Sequence, residues 1–108
     1  MGTLSTHVLD TSVGLPAPGI PVTLSVLGKH ELGSGTTDDD GRIGSIGPEV
    51  LEPGDYALRF DIAAYFTDAG RECFYPEIVV AFTIPAGGGH FHVPVLLNPY
   101  GYSTYRGS

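Results

Sequence analysis

The strongest constraint in this chain is a period of two. In "IPVTLSVLG" (20–28), Ile20, Val22, Leu24 and Val26 alternate with Thr23 and Ser25. The same beat recurs in "YALRFDI" (56–62) through Tyr56, Leu58 and Phe60, and in "PEIVVAFTIP" (76–85) through Ile78, Val80, Phe82 and Ile84. Successive side chains of a strand point to opposite faces, so each run is a strand with one buried face.

The rest of the chain is cut into similar short pieces. Its 108 residues include 16 Gly and 9 Pro, which supply turns between short apolar runs. "STHVLDTS" (5–12), a polar "HELGSGTTD" (30–38), a short piece within "DDDGRIGSI" (38–46), "HFHVPVLLN" (90–98) and "GYSTYR" (101–106) read as further strands. "EPGD" (52–55) is a turn, and "AGGG" (86–89) is expected to be a hairpin loop. Only "AAYFTDAG" (63–70) breaks the alternation, with helix-tolerant residues and a Gly stop, and predicts a helix of two turns at most. The expectation is an all-β chain. It is a two-sheet antiparallel sandwich of about eight strands with one short helix, a single domain over 1–108.

Charge and composition exclude several functions. The formal charge is −7, and Lys29, Arg42, Arg59, Arg71 and Arg106 are scattered. Nucleic-acid binding needs clustered cations to displace counterions from phosphates, so no nucleic-acid partner is expected. No run approaches the ~20 apolar residues that span a bilayer, so no membrane association is expected. "MGTLSTHVLD" lacks the basic and apolar regions of a signal peptide, and a cytoplasmic location is the default expectation. The single Cys73 allows no internal disulfide and reads as a buried small hydrophobe.

Chemistry concentrates near the end. At i and i+2 on one strand, His90 and His92 share a face, while Phe91, Val93, Val95 and Leu97 take the core side. Pro94 and Leu96 join the histidines on the outer face, which suggests that this face is covered by another subunit. Pro94 cannot donate to a ladder, so a bulge or a local edge is expected there. The pattern alone leaves two readings open, two plain surface histidines or a general base, since neutral imidazole titrates near pH ~6.5. A zinc site of His7, His90 and His92 is the weaker reading, because no acidic partner to orient the ligands is evident. Asp38, Asp39 and Asp40 read as a polar hairpin turn, not a calcium loop, because the alternating acids and late Glu are missing. Arg42, just after that turn, can aim its guanidinium at an oxyanion. "PAGGGH" lacks the Gly-Lys-Ser/Thr of a phosphate loop, and Ser45, Ser103 and Ser108 lack a nucleophile elbow. His30 reads as a surface residue.

Four stretches together carry a resemblance: "STHVLDTSVGLPAPGIPVTL", "DDDGRIG", "AYFTDAGRECFYPEIVVAF" and "HFHVPVLLNPYGYSTYRGS". In order and at natural spacing, they resemble the transthyretin-related 5-hydroxyisourate hydrolases, with the terminal "YRGS" the most specific piece. The resemblance implies a prealbumin-like sandwich, a homotetramer, and metal- and cofactor-independent hydrolysis of 5-hydroxyisourate. It implies catalytic roles for His7, Arg42, His92 and Ser108. Substrate binding falls to Tyr105, Arg106 and Gly107, with His90 the less certain member. The alternative it leaves open is a transthyretin-like small-ligand carrier that uses the same inter-subunit channel. On this reading "YRGS" is part of a working site, not a solvated tail.

Overall fold

The computed structural model describes residues 2–107, which form two stacked sheets and one helix. The first sheet contains β1 (Gly2–Asp10), β2 (Leu15–Pro16), β5 (Arg42–Ile43), β8 (Gly89–Asn98) and β9 (Gly101–Thr104). Its order is β2-β1-β8-β9, with β5 paired to β1. The second contains β3 (Pro21–Val26), β4 (Glu31–Thr36), β6 (Gly54–Asp61) and β7 (Glu77–Ile84), in the order β4-β3-β6-β7. The one strand beyond the expected eight is β2, two residues long, in a stretch whose Gly and Pro residues read as a loop. The architecture is the expected prealbumin-like sandwich.

The period of two does what the sequence requires. Leu24, Leu58, Phe60, Ile78, Val95 and Leu97 are fully buried between the sheets. Burying each such side chain contributes roughly 1.5–3 kcal/mol before ordering costs are subtracted. Phe66 of α1 (Ala63–Asp68) joins this core and docks the helix. The helix stops where expected. Gly70 adopts φ +69, and the Arg71 N–H donates to the Phe66 carbonyl at 2.9 Å while the Gly70 N–H donates to Thr67 at 3.0 Å. That reverse turn satisfies the last carbonyls and favours glycine at its left-handed position.

Connections and pairing depart from expectation in places. Residues 86–89 do not close a hairpin, because β7 and β8 belong to different sheets. The glycine-rich segment carries the chain across the sandwich, with Gly87, Gly88 and Gly89 all at positive φ. Local turn chemistry cannot tell a hairpin from a sheet-to-sheet crossover. Nor is the first sheet wholly antiparallel: β1 and β8 pair in parallel over nine residues, from Gly2↔Gly89 to Asp10↔Leu97. That register sets Ser5 beside His92 and His7 beside Pro94.

Pro94 makes the expected local edge rather than a bulge. The β1–β8 register runs past it without a shift. On the other side, β9 pairs from Val95↔Thr104 to Asn98↔Gly101, and pairing resumes only at the bridge His92↔Gly107. A proline has no N–H to offer in between. Thr104 compensates by donating its hydroxyl to the Pro94 carbonyl at 2.7 Å. Pro94 is already buried within the protomer, and Leu96 is half-buried. Among the described residues no helix is long and apolar enough to cross a membrane.

Candidate active site

The site is built on the outer face of the first sheet. Alternation along β1 places Thr3, Ser5 and His7 on one face, and alternation along β8 places His90 and His92 beside them. β5 completes the group, because Arg42 is the ladder partner of His7.

The turn before β5 is held from three sides. The Asp38 carboxylate accepts from the backbone N–H groups of Asp40 and Arg42, both at 2.9 Å. The Val8 N–H donates to the Gly41 carbonyl at 2.7 Å. Gly41 sits at φ +74, where a Cβ would lie 2.3 Å from the Val8 carbonyl oxygen, so only glycine lets the turn lie this close to β1. The three aspartates therefore form a structural turn, but not the expected hairpin, because β4 and β5 belong to different sheets, and its output is the placement of Arg42. His7 binds the same turn, donating from Nε2 to the Asp40 carbonyl at 2.9 Å. That bond assigns the proton to Nε2 and leaves Nδ1 as the nitrogen with a lone pair in neutral His7.

His92 is held on both sides. Its Nδ1 lies 2.7 Å from the Ser5 hydroxyl, and among the described residues its Nε2 has no hydrogen-bond partner. The same Ser5 hydroxyl lies 2.9 Å from His90 Nε2, and His90 Nδ1 lies 2.6 Å from the Thr3 hydroxyl. Opposite β1, the Gly107 N–H donates to the His92 carbonyl at 2.8 Å. Partial burial lowers the His92 pKa below the ordinary 6.5, and electrostatic repulsion of its charged form by His7, Arg42 and His90 lowers it further. His92 is therefore neutral at pH 7, with a nitrogen able to accept a proton.

Ser5, Thr6, Arg42, Ile43, His90 and His92 line a cleft of about 320 Å³. His92 also lines a second cleft, of about 290 Å³, with Tyr105, Arg106, Phe82 and Phe91. The Arg106 guanidinium lies 4.9 Å above the Phe91 ring, on the opposite side of His92 from Arg42. The sequence-predicted residues thus fall into two groups that meet at His92. His7, Arg42 and His90 stand on one side, and Tyr105 and Arg106 on the other. Gly107 joins the strand to His92, and Ser108 lies outside the described residues.

Among those residues no three His, Cys, Asp or Glu side chains are grouped so as to hold a metal ion, and His7, His90 and His92 each spend ring nitrogens on protein oxygens. His30 is exposed at the turn before β4. Cys73 is half-buried against the core and donates to the Tyr75 carbonyl at 3.2 Å. A larger cleft of about 780 Å³ beside α1 contains no histidine, and its Arg71 is committed to Asp10 at 2.6 Å.

Sequence reasoning missed Ser5 and Thr3. Their signal was present, since "TLSTH" places Thr3, Ser5 and His7 on one face, but their partners lie 85 or more positions away. It also missed the buried Asp10. That carboxylate accepts from the Ser12 hydroxyl, from Tyr65 at 2.8 Å and from Arg71 at 2.6 Å.

Comparison with known proteins matches the chain to a family model described as "HIUase/Transthyretin family" over residues 4–107. A 5-hydroxyisourate hydrolase of Salmonella typhimurium is 48% identical over 109 residues, covering 97% of this chain and 80% of that protein. The structure of Klebsiella pneumoniae 5-hydroxyisourate hydrolase superimposes with a TM-score of 0.89 at 44% identity, covering 98% of this chain and 99% of that one. Transthyretin from Sparus aurata superimposes with a TM-score of 0.87 at 29% identity, covering 96% and 95%.

Proposed function

The chain belongs to the HIUase/Transthyretin family, and from that premise we propose that it is a 5-hydroxyisourate hydrolase, a cyclic amidase acting in urate breakdown. The observation that carries this reading is His92. It is a neutral imidazole anchored through Nδ1, with Nε2 open at the edge of a cleft it shares with Arg42.

The chemistry follows from those groups. Ring opening of 5-hydroxyisourate to 2-oxo-4-hydroxy-4-carboxy-5-ureidoimidazoline begins with water attacking an amide carbonyl. Water is a poor nucleophile until a base takes its proton, and His92 Nε2 fills that role. The tetrahedral intermediate carries an oxyanion, which the Arg42 guanidinium stabilises. His7 is fixed against Asp40 and presents Nδ1 to the same face, where it orients water or substrate. Tyr105, Arg106 and Gly107 bound the far side of His92 and complete substrate binding with His90. The catalytic role of Ser108, which lies outside the described residues, is carried over from the terminal "YRGS" resemblance alone. Neither a metal nor an organic cofactor enters this scheme.

The family's carrier branch has the same sandwich, as the Sparus aurata transthyretin superposition illustrates. A carrier does not require an anchored neutral imidazole opposite a guanidinium, which favours the hydrolase. We further propose that the single 1–108 domain assembles as a homotetramer, with the histidine face at a subunit interface that restricts water.

The test is direct. Urate oxidase generates 5-hydroxyisourate, and its absorbance decay is followed with and without this protein. Acceleration that His92→Asn removes supports the proposal. Decay at the spontaneous rate in the presence of the wild-type chain refutes it.

A further inference from the structure

One polar group in the site has no part in the scheme above. The Ser5 hydroxyl is almost fully buried and touches two imidazoles at once, His92 Nδ1 at 2.7 Å and His90 Nε2 at 2.9 Å. A hydroxyl has a single hydrogen to donate, so it cannot donate to both rings. Beyond His90 the chain of contacts continues to the Thr3 hydroxyl, 2.6 Å from Nδ1.

We infer that Ser5 is a positioning residue that sets the tautomer of His92 and relays its proton to His90. The inference rests on His92 acting as the base. A base at Nε2 requires the ring hydrogen on Nδ1. His92 Nδ1–H then donates to Ser5, Ser5 donates to His90 Nε2, and His90 Nδ1–H donates to Thr3. Every hydrogen in the row points the same way, away from the bare nitrogen.

This arrangement has a consequence for turnover. When His92 Nε2 takes a proton from water, its Nδ1 proton passes to Ser5 and the Ser5 proton passes to His90 Nε2. His92 returns to neutrality with its hydrogen on Nε2, and the positive charge rests on His90. The hydroxide adds to the carbonyl. His92 Nε2–H next gives its proton to the departing ring nitrogen, and the His90 proton returns through Ser5 to His92 Nδ1. One proton leaves water and one reaches the leaving nitrogen, so the cycle closes. The charge is kept away from Arg42, which faces His92 from β5, and from the guanidinium of Arg106 beyond β9. Positive charge on His92 is disfavoured here, because Arg42 is permanently charged and His7 stands on the adjoining strand. Within the protomer His90 is less buried than His92, so the charge moves to the ring with the smaller burial cost.

The experiment combines nuclear magnetic resonance with kinetics. In the wild-type chain with 15N-labelled histidine, His92 is expected to carry its hydrogen on Nδ1 at neutral pH. A hydrogen found on Nε2 overturns the proposal without any variant. Ser5→Ala is expected to lower kcat by about tenfold or more, with KM changed by no more than about twofold. Its acidic limb should move to lower pH, because imidazolium has lost a hydrogen-bond acceptor. Ser5→Thr, which keeps the hydroxyl, should restore most of kcat. Ser5→Ala with wild-type kcat and pH profile removes the relay. If His92→Asn is inactive at the same time, the base assignment survives alone. If His92→Asn turns over normally, the base assignment itself has failed.

Discussion

Gly107 lies directly across the ladder from His92, and nothing larger than its hydrogen fits there. Its N–H donates to the His92 carbonyl at 2.8 Å. A Cβ added to Gly107 would meet the imidazole Cδ2 at 2.6 Å and Cγ at 3.2 Å. The glycine of the terminal "YRGS" is therefore a packing surface for the proposed base. Gly107→Ala should tilt the ring and disturb its bond to Ser5, and lower kcat/KM by about tenfold or more, while the melting temperature hardly moves. Steady-state kinetics beside a thermal melt checks this, and wild-type kcat/KM in the variant would sink it.

The lowered His92 pKa predicts a pH profile. The acidic limb of kcat/KM should lie below 6.5, the ordinary histidine value. His92→Asn should lower kcat by about 10²–10⁴-fold, without unfolding the chain. A wild-type limb above the ordinary value would contradict the assignment.

The same shift links to stability. Folded His92 resists protonation, whereas the unfolded chain takes up that proton near the ordinary 6.5. The unfolded state therefore binds more protons below that pH. The contribution of His92 is complete above about pH 6.5, and it falls away as pH drops through the lower folded value. Melting temperatures of wild type and His92→Asn, compared between pH 8 and 5, should show the larger loss in wild type.

Asp10 behaves as a second, structural titration. Burial pushes its carboxyl up, but hydrogen bonds from Ser12, Arg71 and Tyr65 outweigh burial and hold it below the ordinary 3.8. The Tyr65 phenol, buried beside that carboxylate, is pushed up to about 12. Stability from Asp10 is thus complete above its unfolded value and is lost as pH falls through the lower folded one. Asp10→Ala should cost about 2–3 kcal/mol, since it strands the Arg71 guanidinium and the Tyr65 hydroxyl, and it should spare the chemical step. Chemical denaturation measures the first and kcat the second. A stable but inactive variant would reverse the assignment.

The tetramer has its own measurement. Size exclusion coupled to light scattering should give about four times the 11.3 kDa chain mass. A fully active monomer would remove the proposed interface from the mechanism.

Inside and outside were legible along β3, β6, β7 and β8, because alternation is a local property of the backbone. Phe91, Val93, Val95 and Leu97 could be assigned to the core, and His90 and His92 to the other face, from ten consecutive residues. Gly70 announced the end of α1 for the same reason, since a left-handed residue is a local demand that glycine meets. The residue types of the candidate site were readable too, because imidazole and guanidinium carry their chemistry wherever they stand.

Neighbourhood was not legible. The alternation of β8 is compatible with any partner strand in either direction, and the glycines of 86–89 serve a hairpin or a crossover equally well. Only the packed sandwich pairs β1 with β8 in parallel, and that register sets Ser5 beside His92. Hydrogen bonds between residues more than 80 positions apart leave no periodic trace, so Ser5 passed for an ordinary strand serine. The side chain that anchors the proposed base was chosen by long-range strand pairing, which depends on how both sheets bury their apolar faces together.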